Sequence, residues 1–167
     1  MIPGRAIRPD VQIIRAIPEH APVLTEIAFA AKRHWGYPES WIAGWQKALT
    51  VGSRLISRHE TYVAMVEGRV VGFYMLIRRK KAAVLEHLWV RPESMGQGVG
   101  RALFSHAVGV AREMGCEIIQ LEADPNAAGF YERMGMVRAG VKQPRANGVV
   151  RELPRFTIEI QNSASEK

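Results

Sequence analysis

Cysteine is almost absent from this chain: Cys116 is the single thiol among 167 residues. No internal disulfide can form, and a reducing compartment, the cytoplasm, is the expected home. Glu117-Ile118-Ile119 follows Cys116, so a packed thiol at the start of a strand is expected rather than a reactive one. No apolar run approaches the ~18 residues that a membrane-spanning helix needs. The start, Met1-Ile2-Pro3-Gly4-Arg5, is charged but has no apolar stretch behind it, unlike a secretory leader. Metal ligands are equally scarce. One Cys and five scattered His residues show no ligand spacing, so no metal is expected. Cys116 also lacks the partner motif of a catalytic thiol.

Acidic residues are outnumbered, 16 against 23 basic ones, for a net charge of +7. That balance suits anionic ligands such as nucleotides and phosphates, or simply a solvated basic surface. The basic residues are scattered, with no basic helix and no basic–aromatic sheet face, which argues against a nucleic-acid partner. The densest cluster, Arg78-Arg79-Lys80-Lys81, lies between two apolar runs and reads as a hairpin turn.

Nearly half of the residues, 47%, are hydrophobic, enough for one sizeable core. No repeat, linker or low-complexity stretch divides the chain. A single domain over residues 1–167 is expected, with its core over about 11–160 and a polar tail at 161–167. Val11 to Ile17 reads as a strand and Glu19 to Arg33 as a helix, with apolar residues at 23, 24, 27, 28 and 31. His34-Trp35-Gly36-Tyr37-Pro38 breaks it, and Glu39 to about Leu55 reads as a second helix. Strands at Thr61–Val66, Val70–Ile77 and Ala82–Val90 form a meander. A helix from Val99 to Met114 stops at Gly115. A strand at Glu117–Ala123, a short helix at Asn126–Met134, and strands at Met136–Val141 and Arg155–Ile160 complete the chain.

The most informative stretch is Met95-Gly96-Gln97-Gly98-Val99-Gly100-Arg101. A strand ends just before it and a helix begins inside it. Glycines let backbone approach a ligand closely, and the free N–H groups of the helix start favour an anion. This reads as a pyrophosphate cradle, with Arg101 in reach for a charge-assisted contact. A P-loop would need Gly-Lys-Ser/Thr, and Gly100-Arg101-Ala102 lacks it. A dinucleotide fold would need a different glycine spacing and a preceding parallel βαβ unit.

Leu88-Trp89-Val90-Arg91-Pro92-Glu93, followed by Gly96 to Leu103, resembles the central motif of the GNAT N-acetyltransferase superfamily. Met95 stands where that family leads with Arg or Gln. Downstream, Asp124-Pro125-Asn126-Ala127-Ala128-Gly129-Phe130-Tyr131 resembles the family's second conserved segment. The resemblance implies an α/β (α+β) fold with a mixed, mostly antiparallel sheet of about six or seven strands flanked by about four helices. It implies acetyl-CoA as co-substrate and acetyl transfer to a primary amine of a small molecule or peptide, by direct attack in a ternary complex.

On the same resemblance, the backbone of Leu88, Trp89 and Val90 pairs with the cofactor arm. Gly96, Gln97, Gly98, Val99, Gly100 and Arg101 hold the pyrophosphate, and Asn126 bonds the arm. Tyr131 matches the position of the acid that protonates the leaving thiolate. Its phenol, with a pKa of about 10, suits a thiol of similar basicity. Glu86 is the first candidate for the base, since alternation puts it on the face of Leu88 and Val90; Glu122 is the competitor, and His34 an outside one. His87 points the other way and reads as structural. His34, Trp35 and Tyr37 fall where the family lines its acceptor pocket, and the loop from Lys142 to Pro154 is placed to close its other side. A homodimer through exposed strands or helices is compatible with the family. Two other readings stay open: a non-catalytic acyl-CoA sensor, and a basic nucleic-acid binder.

Overall fold

The computed structural model describes residues 10–146 and 149–161. The polar tail from 162 onward and Asn147-Gly148 lie outside the described residues. Strand β1 (Gln12–Arg15) leads to helix α1 (Ala21–His34) and three short helices: α2 (Glu39–Gly44), α3 (Gln46–Leu49) and α4 (Ser53–Arg58). The meander follows as β2 (Glu60–Val66), β3 (Arg69–Arg79) and β4 (Ala82–Val90). Then come α5 (Val99–Glu113), β5 (Ile118–Glu122), α6 (Ala128–Arg133) and β6 (Val137–Lys142). A small hairpin of β7 (Arg145–Ala146) and β8 (Val149–Val150) precedes β9 (Leu153–Glu159).

Seven of these strands form one sheet, ordered β1-β2-β3-β4-β5-β9-β6. Only β4 and β5 run parallel; every other pair is antiparallel. This is the mixed, mostly antiparallel sheet that the sequence implies. The central strand β3 is covered on both faces, and Phe73, Tyr74, Met75 and Leu76 are all fully buried. Alternation deals Tyr74 and Leu76 to the α5 side, where they meet Leu103 and Ala107. Phe73 and Met75 go to the α1 side, against Leu24, Ile27 and Ala28. Each such large side chain stabilises the fold by ~1.5–3 kcal/mol when fully buried.

Helix α5 forms because Val99, Leu103, Ala107, Val110 and Ala111 recur on one buried stripe. It ends in a Schellman motif. Gly115 takes a positive φ of 76°, while the Cys116 and Gly115 N–H groups donate to Ala111 and Arg112 carbonyls. Cys116 itself is buried and free.

Two local expectations are corrected. The helix expected from Glu39 to Leu55 is three pieces, broken at Trp45 and again at Thr50–Gly52, where Thr25 on α1 takes over the backbone at Val51. The Val51 N–H donates to Thr25 Oγ1 at 2.9 Å, and that hydroxyl donates back to the Val51 carbonyl at 3.3 Å. Thr50 is extended as a result, and Val51 is 1% exposed in the lower core. The basic cluster is also not all turn. Arg78 and Arg79 continue β3, and only Lys80, at φ 56°, and Lys81 reverse the chain.

Candidate active site

The sheet opens along one seam. β4 and β5 pair only at Ala82–Ile118, Ala83–Ile119 and Val84–Gln120. Beyond that, β4 stays with β3 and β5 with β9, so the two strands part. Met75 pairs with His87 and Leu76 with Leu85, leaving Glu86 as an extra residue bulged out of β4. Alternation counted back from Val90 therefore fails across Glu86. Leu85 and Leu88 both pack on the α5 side, whereas Trp89 packs on the α1 side and His87 lies against Phe73 there. A cavity of about 1200 Å³ occupies the opened seam. Leu88, Trp89 and Val90 line it, as do Glu86 from the bulge and Glu122 from β5.

One end of the cavity is the glycine loop. Gly96 and Gly98 hold φ of 76° and 86°, which side chains rarely adopt, and a Cβ at either would meet nothing within 4 Å. The open space beside them is the cavity they line. Gly98 is the N-cap of α5 and no side chain caps that helix. Its first N–H groups, which have no intrahelical acceptor, are left for an anion. Gly100 is needed for a different reason: a Cβ there would sit 3.3 Å from the Phe130 ring. Gln97, Arg101 and Met95 line the cavity too. Val99 does not; its side chain is 1% exposed in the core, so only its backbone faces the site. Arg133 on α6 also lines this end, a cation that sequence reasoning passed over. These residues fit the phosphates of a coenzyme: a glycine cradle, a bare helix start and two guanidinium groups.

Tyr131, on α6, lines the cavity and is only 7% exposed. Burial pushes its phenol well above the usual value, so it keeps its proton at neutral pH. Glu86 is exposed, and among the described residues it has no ion-pair partner. Glu122 is different, with Lys142 at 3.4 Å and Arg155 at 3.6 Å. His87 is structural: it is 7% exposed, accepts a hydrogen bond from Trp89 Nε1 at 3.1 Å, and is pushed down to about 4 by burial.

Residues 24–136, more than half of the chain, match the sequence model of the acetyltransferase (GNAT) family. This chain belongs to that family. An N-acetyltransferase of Methanocaldococcus jannaschii, itself uncharacterized, is 30% identical over 84 residues, 44% of this chain. The match spans only 37% of that curated relative's length. The GCN5-related N-acetyltransferase of Rhodopseudomonas palustris shares the fold, with a TM-score of 0.76 at 23% identity, over 93% of this chain and 99% of that one. So does the PaiA N-acetyltransferase of Thermoplasma acidophilum, solved in complex with coenzyme A. Its TM-score is 0.70 at 20% identity, over 90% of this chain and 99% of that one.

This GNAT protein also holds a buried polar cluster that no sequence motif announced. Lys32 of α1 donates to Asp124, just past β5, at 2.5 Å, with side chains 8% and 7% exposed. Tyr37 Oη lies 3.0 Å from both Asp124 carboxylate oxygens. Asn126 Nδ2 donates to Tyr37 Oη and to Asp124 Oδ1, at 3.0 and 2.9 Å. Arg151, from the loop expected to close the pocket, donates Nη2 to Tyr37 Oη at 2.9 Å. Burial raises the Asp124 pKa, but hydrogen bonds and charge from Lys32 outweigh it and hold the carboxyl below its ordinary value. Burial pulls the Lys32 ammonium down against the pull of the same carboxylate.

The predicted acceptor residues separate here. Trp35 lines the cavity, while Tyr37 stands behind Asp124 and Asn126, which do. His34 stacks edge-on against Trp35 and does not line it. Arg91 was also passed over: it is 7% exposed and ties the end of β4 to the Val70 carbonyl and to Glu26 at 2.8 Å. Among the described residues no group of His, Cys, Asp and Glu is arranged to hold a metal. No helix among them is long and apolar enough to cross a membrane.

Proposed function

We propose that this chain is an acetyl-CoA-dependent N-acetyltransferase acting on a primary amine of a small molecule or peptide, by direct attack in a ternary complex. One observation carries the reading: the cavity of the opened β4–β5 seam is lined by both a glycine cradle and a protonated, buried Tyr131. Acetyl-CoA, once bound there, supplies the thioester whose acetyl group is transferred. The N–H groups at the start of α5 and the guanidinium groups of Arg101 and Arg133 hold its phosphates. The backbone of Leu88, Trp89 and Val90, unpaired on the β5 side, holds its arm.

Glu86 takes the proton from the acceptor's ammonium, directly or through one water. It is preferred to Glu122 because two cations already engage Glu122, whereas Glu86 projects from a bulge into the same cavity with no partner. Tyr131 Oη gives its proton to the departing sulfur, and the high pKa conferred by burial keeps that proton in place until then. Atoms balance: one C–N bond forms and one C–S bond breaks, and the nitrogen gives up two protons, one through Glu86 to solvent before attack and one from the tetrahedral adduct, which replaces the proton that Tyr131 gives to sulfur. Asn126 serves the site through its bonds to Asp124 and Tyr37, which fix its amide at the cavity wall. The lone buried thiol suits a reducing compartment, and the cytoplasm is where we place the reaction.

Titration calorimetry of acetyl-CoA into the wild type and a Gly98→Trp variant tests the cradle. Gly98 combines positive φ with open space toward the cavity, so the variant should both strain the loop and fill the phosphate seat. Binding in the micromolar range that disappears in the variant supports the reading. No binding to the folded wild type sinks it.

A further inference from the structure

The aromatic box behind Asp124 contains one more positive charge than it neutralises. Lys32 and Arg151 each lie 4.4 Å from the Trp45 ring centre and 5.0 Å from that of Tyr37. Both converge on Asp124, the one carboxylate in ion-pair reach of either among the described residues. Among the described residues Glu26 pairs with Arg91, Glu39 with Arg33, and Glu122 with Lys142 and Arg155, while Glu86, on the same cavity, pairs with neither Lys32 nor Arg151. His87 is neutral beneath Trp89. The three side chains are 8%, 13% and 7% exposed, so solvent screens little of the imbalance. Buried charge without a counter-ion is costly. Aromatic faces soften that cost without neutralising the charge.

Arg151 has donors to spare. Among the described residues its side chain donates only through Nη2, to Tyr37 and Asp124, although a guanidinium carries five N–H groups. Lys32 and Arg151 stand behind Asp124, Asn126 and Trp89, which line the cavity, so the cavity is the side from which an anion would reach them.

We propose that the acceptor is a small amine that also bears a carboxylate, of amino-acid type, and that Arg151 beside Lys32 receives that carboxylate. This inference rests on the acetyltransferase reading. The acceptor's nitrogen forms the amide bond and its carboxylate is left unchanged, serving as the handle. Trp35 and Trp89 line the same cavity and offer apolar faces to its side chain. The same box disfavours polyamines, because the chain's own two cations already occupy the seat over Trp45 and Tyr37.

Matched pairs test it: L-phenylalanine against phenethylamine and phenylalanine amide, and L-methionine against 3-(methylthio)propylamine. Steady-state acetylation is measured for the wild type, Arg151→Gln and Arg151→Lys. Separately, calorimetry with coenzyme A present compares N-acetyl-L-phenylalanine with N-acetylphenethylamine, which needs no turnover. The acid of each pair should show the higher kcat/KM. Arg151→Gln should cut the acid-to-amine ratio by about tenfold to a hundredfold through KM, the weight of one charge-assisted hydrogen bond, and Arg151→Lys should restore part of it. The acetylated acid should bind more tightly than its decarboxylated partner. Equal or better use of the decarboxylated amines, or an unchanged ratio in Arg151→Gln, overturns the proposal. If no amine is acetylated yet the acid product binds selectively, the acetyltransferase reading fails and the anion site stands. If the acid product binds no better than its partner, the anion site fails whatever the turnover.

Discussion

Removing the carboxylate of Asp124 should be the most damaging single change in the cavity wall. Asp124→Ala leaves Lys32 and Arg151 facing each other over Tyr37 and Trp45 with no counter-ion. The pair is short, 2.5 Å, and its side chains are 8% and 7% exposed. At that separation the Coulomb attraction is roughly 6–7 kcal/mol for an effective dielectric of about 20, before desolvation is subtracted. Breaking a buried pair by deleting one partner costs ~3–5 kcal/mol in net terms, because the other charge stays buried. For a domain of this size each 1 kcal/mol lowers Tm by about 2–4 °C, so a drop of ~6–20 °C is expected. Thermal melts at pH 7, followed by circular dichroism, measure it. Lys32→Met and Arg151→Met combined with Asp124→Leu should recover much of the loss, since together they remove all three charges and leave apolar bulk. The pH dependence has a definite sign. A carboxylate held below its ordinary pKa stabilises the fold above the unfolded value of about 4, and that stability is lost as pH falls through the folded value. The acid limb should therefore flatten in Asp124→Asn. An Asp124→Ala protein melting within about 2 °C of the wild type would refute the reasoning, as would a triple variant no more stable than the single one.

Tyr131→Phe should lower kcat by about 10²–10⁴ while leaving acetyl-CoA affinity within a few-fold, as calorimetry beside steady-state rates will show. Because burial raises the Tyr131 pKa, the wild-type pH–rate profile should have no descending limb from this phenol in the neutral to mildly alkaline range. Glu86→Gln should slow turnover most at neutral pH and recover toward high pH, where free amine forms without a base; a uniform loss at every pH would shift the role to another group. His87 adds a second pH effect. Its folded pKa of about 4 lies below the unfolded value of about 6.5, so the unfolded chain binds the proton first and stability should fall as pH drops from 6.5 to 4. At 1.36 kcal/mol per pKa unit that is roughly 3 kcal/mol, readable from urea midpoints, and His87→Gln should abolish the slope.

What could be read from the chain was local. The glycine loop, the stripe of α5, the Gly115 stop and the apolar run of β3 are each set by neighbours in sequence, and each lies where expected. What could not be read depends on distant partners. Lys32 and Asp124 are 92 positions apart, and Arg151 and Tyr37 are 114 apart, so neither stretch alone signals a charge box. The break between α3 and α4 comes from Thr25 capturing Val51, a side-chain bond that helical spacing cannot foresee. The bulge at Glu86 escaped for a related reason: an inserted residue leaves no mark in a strand whose apolar residues continue on both sides of it. The motif pins Tyr131, Gly96, Gly98 and Gly100 in sequence, and the fold brings them to one cavity. The cation Arg133 was missed because one arginine on a short helix resembles any surface arginine.

The parted seam has a mechanical side. The sheet is in effect two plates, β1 to β4 and β5-β9-β6, fastened by three residue pairs at one end. Between the plates each strand shows a row of bare backbone groups, an edge turned inward rather than left at the rim, where stray strands could add to it. A guest lying in that gap acts as a splint, tying plate to plate along a length that the chain itself leaves unfastened. Its grip should register as slower amide exchange at Leu88–Val90 and Leu121–Ala123 than in the empty molecule, so that the same opening which admits a ligand also governs how stiffly the two halves move.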